Sequence, residues 1–358
     1  MNIGIIHGFV EGGGGTEKIL HAILDTLEKT DHDVTLYTFS KPKIKSNKIK
    51  IKSMLPISIP IFGLYQRAME SKLVTKAKNE DILIQSSGGL CIPDITNQKI
   101  IVYCHSDFSN SRENKSTKYK GIWSLYYKPY YNMMKKFLNN LSNSKILLVS
   151  NSEFVHNSIK SKYGKNSKII YPPINLDEFS SQNKKKQIVS IGRFSEEKNF
   201  EFGINVMSKL NSSYYIIGNT KTKSNILYSK KLETQIKKHN LESRIRLLKN
   251  IDRNDLVNYL NNSKVYFHCS DETFGISVVE SITAGCIPIV PDTTAHKETV
   301  PFDELRYKEN DENDAKNKIK NALNGEFDHI LSSLSNSIEK FSKKKFQQSF
   351  LQLIEEFN

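Results

Sequence analysis

Two glutamates stand eight residues apart in the stretch SDETFGISVVE, which spans residues 270–280. The surrounding pattern predicts that Glu272 lies in a loop after a strand and that Glu280 lies in the second turn of the following helix. The first turn of a helix leaves its backbone N–H groups without intrahelical partners. In this stretch those donors belong to Phe274, Gly275 and Ile276. Two carboxylates beside unpaired N–H groups suit hydrogen bonding to sugar or ribose hydroxyls better than glycosidase chemistry, which needs carboxyls flanking one bond.

Two cations follow a strand in the stretch GRFSEEKNF, residues 192–200. Arg193 and Lys198 stand five residues apart in a turn at the mouth of the predicted sheet. A guanidinium and an ammonium directed at one position there can neutralise a diphosphate. Taken alone, the stretch is better explained by a solvated basic turn in which these cations pair with Glu196 and Glu197.

The first strand-to-helix turn is rich in glycine, with the sequence EGGGGTEKIL at residues 11–20. Glycines let the backbone approach a ligand closely, and the helix N-terminus that follows favours an anion such as a phosphate. The stretch has neither the G-x-G-x-x-G spacing of dinucleotide-binding turns nor the Lys-Ser/Thr pair of a P-loop. It predicts a loop that faces a phosphate, with a merely flexible loop as the alternative.

One histidine is placed where function concentrates. In the stretch YCHSDF, residues 103–108, His105 lies just beyond the end of a predicted strand. The carboxyl edge of a parallel sheet is where ligands bind, although a single histidine also serves structural roles. Both interpretations of His105 stay open on this stretch alone.

The sequence contains few candidate ligands for a metal ion. Asp31 and Asp33 form a D-x-D pair, which can hold a divalent metal in some nucleotide-sugar enzymes. Here the pair precedes its strand and is predicted to be a solvated turn on the wrong edge of the sheet. No other cluster of His, Asp or Glu has metal-ligand spacing, so we expect no metal site.

Strands and helices alternate along the chain in two series. Short β-branched runs separated by helical patterns fill the first half, and the pattern restarts after the polar stretch SSQNKKK at residues 180–186. Alternation of strand and helix is the signature of a parallel sheet covered on both faces. Two doubly wound halves joined by a hinge predict an α/β protein with a ligand site between their strand carboxyl ends.

Length and composition agree with two globular domains and exclude several classes of protein. The chain of 358 residues exceeds one ordinary core, and 38% hydrophobic residues are enough for packed interiors. No apolar run reaches the ~18 to 20 residues of a spanning helix, and MNIGIIHGFV predicts a strand rather than a signal peptide. The cysteines lack CxxC or zinc-like spacing, which indicates buried thiols in a reducing compartment. They are Cys91, Cys104, Cys269 and Cys286.

Positive charge is concentrated in the first half. Residues 1–180 carry 25 Lys and Arg against 15 Asp and Glu, and residues 181–358 carry 27 against 23, which together give a net charge of +14. A basic half could meet anionic lipid, nucleic acid or a phosphorylated substrate. Many of the lysines fall in stretches such as KPKIKSNKIKIK, residues 41–52, where solvated loops are the alternative explanation.

In the order and spacing of its motifs, the chain resembles a family 4 retaining glycosyltransferase of the GT-B fold over nearly its whole length. FGISVVE is loosely similar to the branch of mannosyltransferases that act on dolichol-linked oligosaccharides. The resemblance implies two doubly wound Rossmann-like domains that face each other across a cleft. The motifs are GG-x-E at 14–17, the YCH segment, VSNSEF before the linker, GRFSEEKNF, RLLKNIDRNDLVNYL, and E-x7-E at 272–280 followed by SITAGCIPIV.

The resemblance also implies a domain organisation. Residues 1–178 would form an acceptor-binding domain, and residues 179–335 would form a domain that binds the nucleotide-sugar donor. Residues 336–358 would form a C-terminal helix that crosses back and packs on the first domain.

Several site residues are implied by matching the family motifs position by position. Arg193 and Lys198 match the diphosphate-binding pair, and Glu280 matches the glutamate that binds the ribose. Glu272 matches the glutamate near the donor sugar, and His105 matches the histidine that approaches that sugar from the other domain. The resemblance places further donor-binding positions at Gly14, Gly15, Ile251, Phe274, Gly275 and Ile276.

The implied reaction moves a hexose from GDP-mannose or a UDP-hexose to a glycan or a lipid-linked acceptor, with retained anomeric configuration and without a metal or other cofactor. Two departures from the family pattern, Thr273 after the first glutamate and Gly218-Asn219 in place of Gly-x-Gly, bear on donor preference. Other classes stay open: a nucleotide-sugar-binding protein without transfer activity, a basic nucleic-acid-binding protein, and an inverting transferase or epimerase on the same fold. With the family resemblance, no nucleic-acid partner is expected.

Aromatic residues and lysines interleave in one segment of the first half. Within residues 106–137, the stretch YKGIWSLYYKPYYNMMKKF contains Trp123, the only tryptophan of the chain. Such a composition is typical of a segment at a membrane interface. It predicts a cytoplasmic enzyme with peripheral contact to an anionic membrane face and a lipid-linked acceptor. The alternative is an ordinary amphipathic helix packed on its own domain.

Overall fold

The chain divides into two compact units, which are described separately. Unit 1 comprises Met1–Pro173 and Lys343–Asn358, and unit 2 comprises Ile174–Ser342. The domain boundaries expected from the sequence lie at 178/179 and 335/336. The computed structural model describes residues 1–8, 10, 14–44, 46–55, 72–87, 98–108, 128, 132, 137–141, 145–180 and 184–357.

Unit 1 is a parallel α/β sheet. Its described strands are β1 (Asn2–Ile6), β2 (Asp33–Ser40), β3 (Lys50–Leu55), β4 (Ile82–Gln85), β5 (Lys99–Cys104), β6 (Ile146–Ser150) and β7 (Lys168–Ile169). They follow the order β3-β2-β1-β4-β5-β6-β7, which reverses direction between β1 and β4. The helices with described bounds are α1 (Gly15–Leu27), α2 (Glu153–Tyr163) and the C-terminal helix (Lys343–Phe357).

The C-terminal helix completes the core of unit 1. Its apolar residues recur at helical spacing, so one face of the helix is buried in the same hydrophobic cluster as Ile19 and Ile23 of α1. Those buried residues are Phe346, Phe350, Leu353 and Ile354. The helix begins at Lys343, later than the start at residue 336 that the resemblance implied, and Phe341 lies before it in a 3-10 turn of unit 2.

Strand β3 corrects the interpretation of the lysine-rich stretch at residues 41–52 as solvated loops. The end of this stretch belongs to β3, an edge strand that pairs in parallel with β2 and places Ile51 opposite Leu36. Ile49 is buried, whereas the intervening lysines Lys50 and Lys52 lie on an edge that charged side chains protect from further pairing. The dense lysines hid the alternating isoleucines in the sequence.

Unit 2 repeats the arrangement. Its described strands are β8 (Lys185–Ile191), β9 (Ser213–Gly218), β10 (Ile245–Lys249), β11 (Ser263–Phe267), β12 (Ile287–Pro291) and β13 (Arg306–Tyr307). They are all parallel and follow the order β10-β9-β8-β11-β12-β13, which reverses direction between β8 and β11. The helices are α3 (Phe200–Ser208), α4 (Lys223–Lys238), α5 (Arg253–Asn262), α6 (Ile276–Thr283), α7 (His296–Thr299), α8 (Glu312–Asn324) and α9 (Leu331–Ser337). The α/β prediction with two doubly wound sheets is therefore confirmed.

The cysteines within the described ranges are buried free thiols. Cys104, Cys269 and Cys286 lie in the interior, and burial raises the pKa of each thiol. They behave as small apolar side chains, as the sequence indicated. Cys91 lies outside the described residues.

Helix α5 begins at a capping aspartate. The Asp252 carboxylate accepts a hydrogen bond of 2.8 Å from the Asp255 backbone N–H, which satisfies one of the unpaired donors of the first turn. Replacing Asp252 with alanine should cost about 1 kcal/mol of local stability. We expect backbone amides in the first turn of α5 to exchange with deuterium about fivefold faster in Asp252→Ala. Asp252→Asn, which keeps the acceptor, should exchange at nearly the original rate, and equal rates in both variants would contradict the cap.

Candidate active site

A polar site of unit 2 lies at the carboxyl ends of β8 and β11. These strands are neighbours, and the strand order reverses between them, so the loops that follow them diverge and leave a crevice. A 3-10 turn, Glu196–Lys198, follows β8. The loop after β11 carries Glu272 and leads into α6.

An ion pair joins the two loops. The Lys198 ammonium donates to Glu272 Oε1, and both side chains are largely buried, 16% and 21% exposed. The Nε2 atom of His268 lies 3.4 Å from the same oxygen. Burial raises the pKa of the Glu272 carboxyl, but the contacts with His268 and Lys198 more than offset this and hold it well below its usual range. Glu272 is therefore an ionised carboxylate at neutral pH.

Arg193 has a different partner from Lys198. Its guanidinium donates to Glu197 in an ion pair at the protein surface, with both side chains more than half exposed. An exposed pair of this kind contributes little stability and is readily exchanged for another anion. For Arg193 the structure thus shows the surface pairing that was the alternative interpretation of the stretch, whereas Lys198 is drawn into the crevice.

The start of α6 depends on Gly275. Its φ of 87° lies in the left-handed region, and a Cβ there would stand 3.2 Å from Cγ2 of Val278. Phe274 is buried edge-to-face against Phe341 at 5.0 Å, so its side chain belongs to the core. Ile276, the first helical residue, is half-buried. The predicted helix start is thus present, with its backbone at the crevice loop.

Glu280 lies in the second turn of α6, as expected, but it has a partner that the sequence did not reveal. Arg253 Nη2 donates to Glu280 Oε1 at 2.7 Å. The same guanidinium donates through Nε and Nη2 to both oxygens of Glu178, each at 2.7 Å. Arg253 and Glu178 were missed because their partners lie 27 and 75 residues away, and no local spacing signals such a pair.

Two further sequence predictions concern the neighbouring loops of unit 2. Ile251, half-buried, follows the edge strand β10 rather than the strands at the point of reversal. Gly218 ends β9, where a Cβ would lie 2.3 Å from the carbonyl oxygen of Gly192. The close approach of these two loops explains why the first glycine of the family pattern is kept.

In unit 1, polar residues follow the strands β1, β4 and β5. His105 Nε2 donates to the carbonyl oxygen of Ser86 at 2.8 Å, and His7 Nδ1 lies 2.9 Å from the Ser86 hydroxyl. Burial lowers the pKa of His105, so its imidazole is neutral at pH 7. The structure places His105 at the carboxyl edge of the sheet, where the sequence indicated it.

The glycine-rich turn is described only in part. Gly14 is the N-cap of α1, without a side-chain cap, and Gly15 is the first helical residue. Residues 11–13 lie outside the described ranges. The helix start that could face an anion is present, and the roles of Gly14, Gly15 and His105 toward a donor stay predictions.

Neither a metal site nor a spanning helix is found in the described part of the chain. His, Cys, Asp and Glu side chains there form no group of three or more that could hold a metal ion. Asp33 opens β2, 3.4 Å from the Lys50 ammonium, at the amino edge of the sheet. Within the same residues, no helix combines the length and apolar character needed to cross a membrane. The segment at 106–137, with Trp123, lies almost entirely outside the described residues.

Two family models match the chain in succession. The model described as Glycosyltransferase Family 4 matches residues 13–178, and the model described as Glycosyl transferases group 1 matches residues 174–345. Together they cover nearly the whole sequence. Their junction lies close to the division between the two units at 173/174.

Relatives and solved structures agree with the family models. A GDP-Man:Man(3)GlcNAc(2)-PP-Dol alpha-1,2-mannosyltransferase of Dictyostelium discoideum is 22% identical, covering 84% of this chain and 73% of the relative. The Homo sapiens protein of the same name is 27% identical, covering 58% of this chain and 48% of the relative.

Among solved structures, Anabaena HepE in complex with UDP and glucose has a TM-score of 0.76 at 15% identity and covers 99% of both chains. A sucrose-phosphate synthase from Thermosynechococcus elongatus has a TM-score of 0.78 at 16% identity, covering 99% of this chain and 98% of the other. These likenesses establish the fold. The chain belongs to the family 4 glycosyltransferases of the GT-B fold and is an enzyme of the hexosyltransferase class.

Proposed function

We propose that the protein transfers a hexose from a nucleotide-sugar to a glycan or lipid-linked acceptor, with retention of anomeric configuration and without a metal ion. The donor proposed first is GDP-mannose, since the relatives named above are GDP-mannose-dependent enzymes. A UDP-hexose is the second candidate, since the fold is shared with HepE, which was solved with UDP and glucose.

The observation that carries the proposal is the Lys198–Glu272 ion pair at the reversal of strand order in unit 2. An ammonium and an ionised carboxylate stand side by side in a crevice where parallel sheets bind ligands. A lysine ammonium has three protons to donate, so Lys198 can contact Glu272 and a phosphate oxygen at once. The carboxylate can accept a hydrogen bond from a sugar hydroxyl.

In the proposed reaction, the bond between the anomeric carbon and the diphosphate oxygen breaks as the acceptor oxygen bonds to the same face of that carbon. The acceptor hydroxyl gives its proton to the departing diphosphate oxygen. Lys198 and Arg193 stabilise the negative charge that grows on the diphosphate, supplying the charge that a divalent cation could otherwise supply. Glu272 stabilises the positive charge that develops on the sugar, without forming a bond to it.

Glu280 is proposed to hold the ribose of the donor. Its carboxylate is almost fully buried and is fixed by Arg253, so it is held in one orientation. Hydrogen bonds from two ribose hydroxyls to a fixed carboxylate would favour nucleotide binding in the ground state and the transition state alike. Glu280 would then contribute to donor affinity more than to turnover.

A donor screen followed by a transfer assay tests the proposal. A nucleotide-sugar at 100 times its Kd should stabilise the folded protein by about 2.7 kcal/mol, seen as a raised melting temperature. With the stabilising donor and a glycan or lipid-linked acceptor, we expect an α-linked product from an α-linked donor, formed at the same rate in a chelator.

Each alternative has its own outcome in this assay. Loss of turnover in the chelator would refute metal independence, and a β-linked product would refute retention. Donor binding without transfer to acceptor or water would favour a binding protein. Absence of stabilisation by every donor, together with salt-sensitive binding to DNA, would favour the nucleic-acid alternative.

A further inference from the structure

A buried histidine stands behind the Lys198–Glu272 pair. His268 follows β11 and is 3% exposed. Its Nε2 atom lies 3.4 Å from Glu272 Oε1 and 3.3 Å from the Ser270 hydroxyl. Its Nδ1 atom lies 3.2 Å from the hydroxyl of Tyr266, whose ring stacks on the imidazole. Both ring nitrogens of His268 are therefore engaged by polar atoms in the interior.

The charge on Glu272 fixes which nitrogen of His268 carries a proton. An unprotonated Nε2 would direct its lone pair at an ionised carboxylate, and such a contact is repulsive in a site of low dielectric. Nε2 must therefore carry a hydrogen and donate it towards Glu272. In the neutral ring Nδ1 is then an acceptor, 3.2 Å from the Tyr266 hydroxyl, which also lies 2.8 Å from the Ser277 hydroxyl.

The two contacts of Glu272 fall on the same oxygen. Lys198 Nζ and His268 Nε2 both approach Oε1. The other oxygen, Oε2, makes no hydrogen bond to any residue that the structure describes, and the Glu272 side chain is 21% exposed. The carboxylate is thus held through one oxygen while the second can accept a hydrogen bond from a ligand.

We propose that His268 is a positioning residue: with Lys198 it holds Oε1 of Glu272, so that Oε2 is presented to a hydroxyl of the donor sugar. This inference rests on the proposed function, since it assigns a ligand to Oε2. His268 itself touches neither donor nor acceptor. It affects the reaction only by orienting Glu272 and by keeping its carboxylate ionised.

The other titratable groups around this carboxylate define its electrostatic setting. Lys198 faces it from the turn after β8, and Tyr266 and His268 face it from β11 and its end. His296 of α7 meets the His268 ring edge-on at 5.0 Å and bonds the Ser270 carbonyl oxygen through Nε2 at 2.9 Å. Burial lowers the pKa of His296 to about 3, so His296 is neutral and adds no positive charge at neutral pH.

Two amide substitutions separate the contact to Glu272 from the packing of the ring. The side-chain amide of glutamine reaches the position of Nε2, whereas that of asparagine reaches only the position of Nδ1. We expect His268→Asn to lower kcat/KM about tenfold, the scale of a lost hydrogen bond to a charged group, and His268→Gln to stay within about threefold. The measurement is kcat/KM of both variants, taken over a range of donor concentrations at each of several pH values.

The pH dependence distinguishes positioning from packing. The contact with His268 keeps the pKa of Glu272 low, so its removal raises that pKa. A carboxylate with a raised pKa is protonated at higher pH as the solution is acidified. We therefore expect the acidic limb of kcat/KM to move to higher pH in His268→Asn and to stay in place in His268→Gln. The proposal would be overturned if the acidic limb of kcat/KM lay at the same pH in both variants, or if both variants lost the same factor in kcat/KM.

A second measurement needs neither turnover nor a donor. In the ¹⁵N NMR spectrum of the free protein, the His268 ring, assigned from the signal missing in His268→Gln, should carry a hydrogen on Nε2. A neutral ring with hydrogen on Nδ1 alone would overturn the proposal even if His268→Asn fails to fold. The NMR spectrum could show hydrogen on Nε2 while no nucleotide-sugar is bound or transferred. The proposed function would then be wrong, whereas the inference that His268 and Lys198 hold Oε1 of Glu272 would remain.

Discussion

Lys198→Ala should lower kcat about 10²- to 10³-fold, the effect of removing one preorganised group that stabilises transition-state charge. The ammonium is held beside Glu272 with only 16% of its side chain exposed, so its position is fixed before a donor arrives. Its loss removes positive charge from the place where the diphosphate departs. It also removes a partner of Glu272, whose carboxylate would then be protonated at higher pH. The measurement is kcat at saturating donor, with a pH profile from about 5 to 8.

Lys264 provides a matched control. Its side chain is 17% exposed, its ammonium lies 3.0 Å from Asp328, and it stands at the amino end of β11 instead of the carboxyl end. Lys264→Ala makes the same chemical change at similar burial but away from the crevice. We expect its kcat to stay within about twofold of the unaltered enzyme. Similar kcat values for Lys198→Ala and the unaltered enzyme would rule out the charge-stabilising role of Lys198.

Arg253→Met should destabilise the protein by about 2 kcal/mol, less than the cost of breaking a fully buried ion pair because the Arg253 side chain is 36% exposed to solvent. The substitution leaves Glu280, whose side chain is 7% exposed, without its guanidinium, and it also removes both bonds to Glu178. A buried carboxylate that loses a charged partner keeps its desolvation cost without that part of the offsetting attraction. Urea denaturation followed by far-UV circular dichroism measures the loss, and nucleotide Kd values should rise in parallel.

Two variants give this prediction its controls. Arg246 is exposed on β10, and Arg246→Met should change stability by less than about 0.5 kcal/mol. In a Glu280→Gln background, Arg253→Met should cost at least about 1 kcal/mol less than in the unaltered protein, because the partner is no longer charged. Equal costs in the two backgrounds would show that Arg253 does not stabilise the protein through Glu280.

Much of the fold could be predicted because its signals are local. Each inner strand is a short run rich in apolar residues, such as Ile82–Gln85, and the helices between them carry apolar residues at helical spacing. The rules for parallel sheets then supply the topology. The same logic placed Lys198, Glu272 and His105 at carboxyl ends, since the loop that follows a parallel strand begins at that edge.

What escaped prediction depends on contacts between distant parts of the sequence. No spacing rule reveals that Arg253 joins Glu178 to Glu280, or that Lys198 reaches the oxygen of Glu272 that His268 also approaches. Strand β3 escaped because its lysines resemble a solvated loop until β2 pairs with it. Arg193 and Lys198 look equivalent in the sequence, and only the tertiary structure separates the exposed cation from the buried one.

The discontinuity of unit 1 has a consequence for biosynthesis. The residues that close its core, Phe346, Phe350, Leu353 and Ile354, are translated after all of unit 2, which is contiguous from Ile174 to Ser342. On the ribosome, unit 2 can therefore bury its own core while unit 1 still exposes the apolar face that awaits the C-terminal helix. The unit begun first is finished last, and during that interval its uncovered surface is the part of the nascent chain most open to chaperones and to misassembly.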